Sequence, residues 1–146
     1  MLKRILKTGI IIFVCNALVY TPLLRAEQLS LPSGDLVAPE ITQEIYEQSV
    51  PPDSDHEIQV KVTDDVGVKH VTLYYRVIGK DEYQRRTMQK VEKSDYYKAT
   101  VNADEIKPPG IEYYVQAVDL AGNTLLHGYS FSPLSVKIDS AAAQPD

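Results

Sequence analysis

Residues Pro109 to Asn123 read Pro-Gly-Ile-Glu-Tyr-Tyr-Val-Gln-Ala-Val-Asp-Leu-Ala-Gly-Asn, an alternating stretch fenced by two turn signals. Pro109-Gly110 opens it and Ala121-Gly122-Asn123 closes it. Ile111, Tyr113, Val115 and Ala117 fall on one side of a strand. Glu112, Tyr114, Gln116 and Val118 fall on the other. A sheet with one buried face asks for this period, so the stretch predicts a central strand of an all-β domain.

The same period recurs along the chain. In His56 to Thr63, Ile58, Val60 and Val62 face inward and Glu57, Gln59, Lys61 and Thr63 outward. Val71, Leu73, Tyr75 and Val77 oppose His70, Thr72, Tyr74 and Arg76. Tyr97, Ala99, Val101 and Ala103 oppose Tyr96, Lys98 and Thr100. Ala38-Pro39 leads into a first edge strand carrying Ile41 and Ile45. Tyr83 to Val91 reads as a short exposed strand. Tyr129 to Ile138 reads as the last strand, with Leu134, Val136 and Ile138 inward and a bulge or edge at Pro133. Seven short strands, frequent turns and no helical period predict a seven-stranded Greek-key β-sandwich.

The ends differ in kind from the middle. Lys3, Arg4 and Lys7 precede an apolar run from Ile10 to Tyr20, and Leu24-Arg25-Ala26 ends in a small residue. That layout predicts a secretory signal peptide over 1–26. The run is shorter than the roughly 20 residues a membrane span needs, and Asn16 interrupts it. Membrane attachment is therefore expected only through an uncleaved leader. The single cysteine, Cys15, lies in the leader; a lipid-modified Cys15 is the rival reading, against which stands the branched Val14. Residues 27–37 read as a flexible linker, 38–138 as the sandwich and 139–146 as a disordered tail. Without the leader, 11 basic residues face 20 acidic ones, a net charge of −9. So acidic a surface repels phosphate backbones, which argues against a nucleic-acid partner.

Two passages resemble a known architecture. Lys107-Pro-Pro-Gly-Ile-Glu-Tyr-Tyr-Val-Gln-Ala-Val-Asp-Leu-Ala-Gly-Asn is similar to the sixth strand and following loop of fibronectin type III modules and their bacterial immunoglobulin-like relatives. Thr63-Asp-Asp-Val-Gly-Val ahead of Val71-Thr-Leu-Tyr-Tyr-Arg resembles the second-to-third strand passage of modules in bacterial extracytoplasmic proteins. The chain departs from fibronectin type III in having no Trp. The resemblance implies a periplasmic or secreted bacterial module and places Tyr113 at a tyrosine corner. There its ring would pack in the core and its hydroxyl would reach the segment of Asp104, Glu105 and Ile106.

Nothing in the residues points to an enzyme. His56, His70 and His127 have no nucleophile or metal-ligand spacing around them, and no phosphate loop or nucleophile elbow is present. No cofactor is expected. Two surface readings remain. The resemblance brings Asp64, Asp65, Asp119 and Asn123 to one end, four oxygen-bearing side chains suited to calcium; ordinary turn duty is the default for them. Tyr74 and Tyr114 share an outer face with His70, Thr72, Arg76 and Gln116, which suits an envelope protein or glycan, while plain strand propensity explains the same tyrosines. The expected function is a non-enzymatic binding or assembly module of the bacterial envelope. A calcium-stabilised structural or adhesion spacer and an accessory subunit of an envelope enzyme are the alternatives.

Overall fold

The computed structural model describes residues 34–139. The expected leader, Cys15, most of the linker and the tail from residue 140 lie outside the described residues. Among the described residues ten strands run in chain order: β1 Glu40–Thr42, β2 Ser49–Val50, β3 His56–Thr63, β4 Val68–Val77, β5 Gln84–Thr87, β6 Gln89–Lys90, β7 Tyr96–Val101, β8 Gly110–Asp119, β9 Thr124–His127 and β10 Leu134–Ile138. They form two sheets, giving an all-β, sandwich-like architecture. One sheet has the order β1-β3-β7-β6; the other is β2-β10-β8-β4-β5, with β9 also paired to β8.

Ten strands stand where seven were expected, and the difference has three sources. The stretch 83–91 divides at Met88, which is buried where the chain passes from β5 in one sheet to β6 in the other. β9, at 124–127, falls outside every predicted strand and pairs with Val115–Val118, while the last predicted strand, 129–138, is strand only over β10, which pairs with Gly110–Tyr113, so both lie along β8. Between them a turn closes on a Tyr129–Ser132 bridge. Finally, Ile45 belongs to no strand and is 71 % exposed. After β1 the chain instead leaves the first sheet, and β2 pairs in parallel with β10 in the second.

The alternation read from the sequence does sort the core. Ile58, Val60, Val62, Val71, Leu73, Tyr75, Ile111, Tyr113, Val115 and Ala117 are all buried in one cluster drawn from both sheets. Each alternate residue contributes its apolar surface to the same interior, at about 25 cal/mol per Å² removed from water. Val136 joins them fully, while Leu134 and Ile138 pack at the margin.

Polar ties close the core at its edges. The Tyr75 hydroxyl donates to Glu105 Oε1 at 2.6 Å. Burial, with this bond second, pushes that hydroxyl up to about 12. Arg86 grips both Glu105 oxygens at 3.0 and 2.8 Å and also donates to the Thr100 carbonyl, so it links β5 to the end of β7 in the other sheet. Thus Tyr75, not Tyr113, reaches the 104–106 segment. The Tyr113 hydroxyl lies against Gln43 instead, which corrects the expected tyrosine-corner bond.

Candidate functional site

Register builds the outer face of the second sheet row by row. β4 and β8 pair His70 with Val118, Thr72 with Gln116, Tyr74 with Tyr114 and Arg76 with Glu112. β5 adds Thr87 beside Thr72 and Arg85 beside Tyr74. The two central tyrosines therefore meet as a directly opposed cross-strand pair, and their rings stack at 4.7 Å with 6° between planes.

The stack has neighbours on every side. Tyr83 meets Tyr114 edge-on at 5.1 Å, and the Arg76 guanidinium lies 4.1 Å above the Tyr83 ring. Arg76 also binds Glu112 at 2.6 Å and the Asp81 carbonyl at 3.1 Å. The Tyr74 hydroxyl donates to Gln116 Oε1 at 3.2 Å. Gly128, at φ +76°, lies opposite Tyr114, where an added Cβ would come 3.2 Å from the Tyr114 Cβ. The missing side chain there leaves room for the stack.

Both faces of this arrangement matter for ligands. Each ring of the Tyr74–Tyr114 pair occupies one face of the other, so neither offers two open faces to a sugar. Beside the stack, however, a depression of about 310 Å³ is lined by His70, Thr72, Tyr74, Arg85, Thr87 and Gln116. Farther along, the Tyr83 hydroxyl donates to the Ser130 carbonyl at 3.1 Å, which ties the face to the β9–β10 turn. That turn presents Phe131, 84 % exposed, stacked on Tyr129 at 5.3 Å.

Of the residues predicted for this face, Tyr74, Gln116 and His70 line the depression, and Tyr114 and Arg76 form its aromatic and charged shoulder. Sequence reasoning missed Tyr83, Tyr129 and Phe131. Tyr83 sits in a stretch without period, and the turn aromatics carry no alternation that would have assigned them a face.

The acidic end differs from the expected set. The carboxylates that converge are Asp35, Asp64 and Asp119, with ligand oxygens within 4.8 Å of one another. Asp65 is exposed and stands outside the group. Asn123 turns its amide nitrogen inward, donating to Asp119 Oδ2 at 2.7 Å and to the carbonyls of Asp35 and Val37 at 3.0 and 3.1 Å. It organises the group as a donor, not as an oxygen ligand. Asp35 was read as linker, and only its position 88 residues from Asn123 in the chain but beside it in the fold reveals its part.

Turn duty and ligand duty divide between the oxygens of these groups. Asp64 Oδ1 accepts from the N–H groups of Val66 and Gly67, and Asp35 Oδ1 accepts from that of Val37. Their Oδ2 atoms are buried without a hydrogen-bond partner. Asp119 is wholly buried. Burial alone would raise its pKa, but hydrogen bonds from the Asn123 side chain and from the backbone of Asn123, Gly122 and Ala121 outweigh that and hold it below the usual range. Carboxylates brought so close repel one another unless a cation sits among them.

No known protein family matches the chain, and no curated protein matches it significantly.

Proposed function

We propose that the chain is an exported, non-catalytic Greek-key module of the immunoglobulin/fibronectin type III kind, and that it binds an envelope protein or glycan through the outer face of its second sheet. The observation that carries this reading is the juxtaposition of a polar depression with a continuous aromatic shoulder. His70, Thr72 and Gln116 supply hydrogen-bonding groups, and Tyr74, Tyr114, Tyr83 and the turn aromatics supply rigid apolar area. Such a mixture suits recognition by contact. The sandwich kinship is supported by the division into a β1-β3-β7-β6 sheet and a β10-β8-β4-β5 sheet, with a first strand that switches between them. A leader over 1–26 and a periplasmic or secreted location complete the reading; they rest on the sequence alone.

The experiment is a paired screen of protein partners and surface glycans against the wild type and a Tyr74→Ala, Gln116→Ala variant. Selective loss of one partner by a folded variant supports the face. An identical partner set for both proteins overturns it.

A second reading is favoured by a separate observation, the two unpartnered buried oxygens of Asp35 and Asp64 beside Asp119. In it a calcium ion clamps the residues before β1, the β3–β4 turn and the β8–β9 turn, and stiffens the module as a structural or adhesion spacer. Isothermal titration of chelator-treated protein with calcium tests it, and no heat of binding at millimolar calcium removes it.

A further inference from the structure

Strand β1 covers only one end of β3. Its three residues pair with Lys61, Val62 and Thr63, and the chain then departs toward the second sheet. Gln43 lies against Tyr113 and His127, and Ser49–Val50 joins β10. β3 nevertheless continues to His56, paired on its other side with β7 from His56 to Lys61.

The phase of that pairing decides where the free peptide groups point. Val62 donates to the Asp95 carbonyl at 2.9 Å, so the even-numbered residues of β3 bond toward β7. The N–H and C=O groups of Glu57 and Gln59 then point out of the sheet on the side that β1 has left. Among the described residues no strand lies against this stretch. A notch of about 340 Å³ runs beside it, lined by Gln43, Ile45 and Glu47 from the connecting segment, by Asp55 just before β3 and by His56, Glu57 and Gln59 of β3.

We propose that this open edge of β3 accepts an extended segment of a partner protein that carries Lys or Arg at alternate positions and adds a strand beside Glu57 and Gln59. Unpaired edge groups are a template for such addition, and the side chains around the notch choose the guest. Here they choose by charge. Glu47, Asp55 and Glu57 bring three carboxylates to the notch. Glu57 shares Lys98 at 3.0 Å, and Glu47 faces His56 at 3.3 Å. Burial favours the neutral form of that histidine, so it does little to offset the acids. A second copy of this chain would set the same carboxylates against each other, which disfavours self-pairing. A guest with alternating basic residues brings the opposite charge, and the exposed Ile45 gives its apolar positions a contact. The site is separate from the aromatic face and stands or falls independently of it.

The test is an NMR titration of the labelled protein with a blocked Lys-Val-Lys-Val-Lys-Val peptide, with Glu-Val-Glu-Val-Glu-Val as control. The expected result is a shift of the Glu57 and Gln59 amides by the lysine peptide, with intermolecular contacts to those residues, and none with the glutamate peptide. Gln59→Pro removes one edge N–H at a position where an edge strand tolerates proline, and should abolish the shift. Position 47 lies outside any strand, and Glu47→Lys should weaken binding at least about tenfold. Equal binding of the two peptides, shifts confined to another edge such as β5, or no shift at millimolar peptide would each overturn the proposal.

Discussion

The side-chain amide of Gln43 lies against the hydroxyl of Tyr113, 2.9 Å from its nitrogen and 3.1 Å from its oxygen, joining positions 70 residues apart. His127 Nε2 stands 3.2 Å from the same amide oxygen. The Tyr113 ring is wholly buried, and burial pushes its hydroxyl up to about 12, so it stays protonated. Tyr113→Phe removes only this contact and should cost about 0.5–1.5 kcal/mol. Tyr114→Phe, on the outer face, should stay within about 0.5 kcal/mol of wild type. Equal denaturation midpoints for all three proteins would show that the Gln43 contact contributes nothing.

The acidic end gives a prediction whose sign depends on the metal. With chelator present, Asp35→Asn should raise the melting temperature, because it removes one of three mutually repelling carboxylates. With calcium at a hundredfold excess over its Kd, wild type should gain about 2.7 kcal/mol and Asp35→Asn little of it. Calorimetric scans under both conditions check this. A variant that responds to calcium as wild type does would end the clamp reading.

Acid should weaken the fold by way of two histidines. Burial lowers the pKa of His127 from its ordinary 6.5, and it lowers that of His56 despite the opposing pull of Glu47. Just below 6.5 the unfolded chain therefore holds protons that the folded one does not. Their contribution is complete above that value and is lost as the pH falls through it. Melting temperature should be level above about pH 7.5 and decline from about pH 6.5 downward. A His56→Gln, His127→Gln variant should flatten that decline; the same slope in both proteins would assign it elsewhere.

Gly110 begins β8 at φ +140°, and a Cβ there would overlap the Val136 carbonyl oxygen and lie 2.7 Å from Lys137 Cα. Both neighbours are backbone of β10 and have no rotamer to yield. Gly110→Ala should cost about 2 kcal/mol or more, combining strain with the displaced strand. A chemical denaturation midpoint like that of wild type would contradict it.

Phe131 lies almost bare on its turn, so Phe131→Ala should change stability by less than about 0.5 kcal/mol. Tyr74→Ala, which breaks the stack with Tyr114, should cost about 0.2–1 kcal/mol from the pair, in addition to any loss of packing. A binding role for the turn would appear as lost affinity in Phe131→Ala without lost stability. Unchanged affinity would confine recognition to the depression beside Tyr74.

The sequence was most legible where one face of a strand is buried. The side-chain period of two assigned Ile58, Leu73, Tyr113 and Val115 to the core, and the same logic sent Tyr74 and Tyr114 outward as partners. It could not foresee contacts made by residues without a period. Asp35 in an apparent linker and Gln43 past the end of β1 find Asn123 and Tyr113 only through tertiary closure. Asp65 looked equivalent to Asp64 by composition, yet the turn aims only Asp64 at Asp119. Two-residue strands such as β2 and β6 are held by their neighbours and leave no local pattern to read.

The parallel pairing of β2 with β10 also bears on when the molecule can close. Ser49 and Val50 stand beside Lys137 and Ile138, and the Asp139 N–H donates to the Val50 carbonyl at 2.8 Å. The opening segment thus waits for its partner until nearly the whole domain has been synthesised. Gln43 and Asp35 wait likewise, for β8 and the turn that follows it. A chain laced together from its far end cannot complete this pairing until β10 has been made.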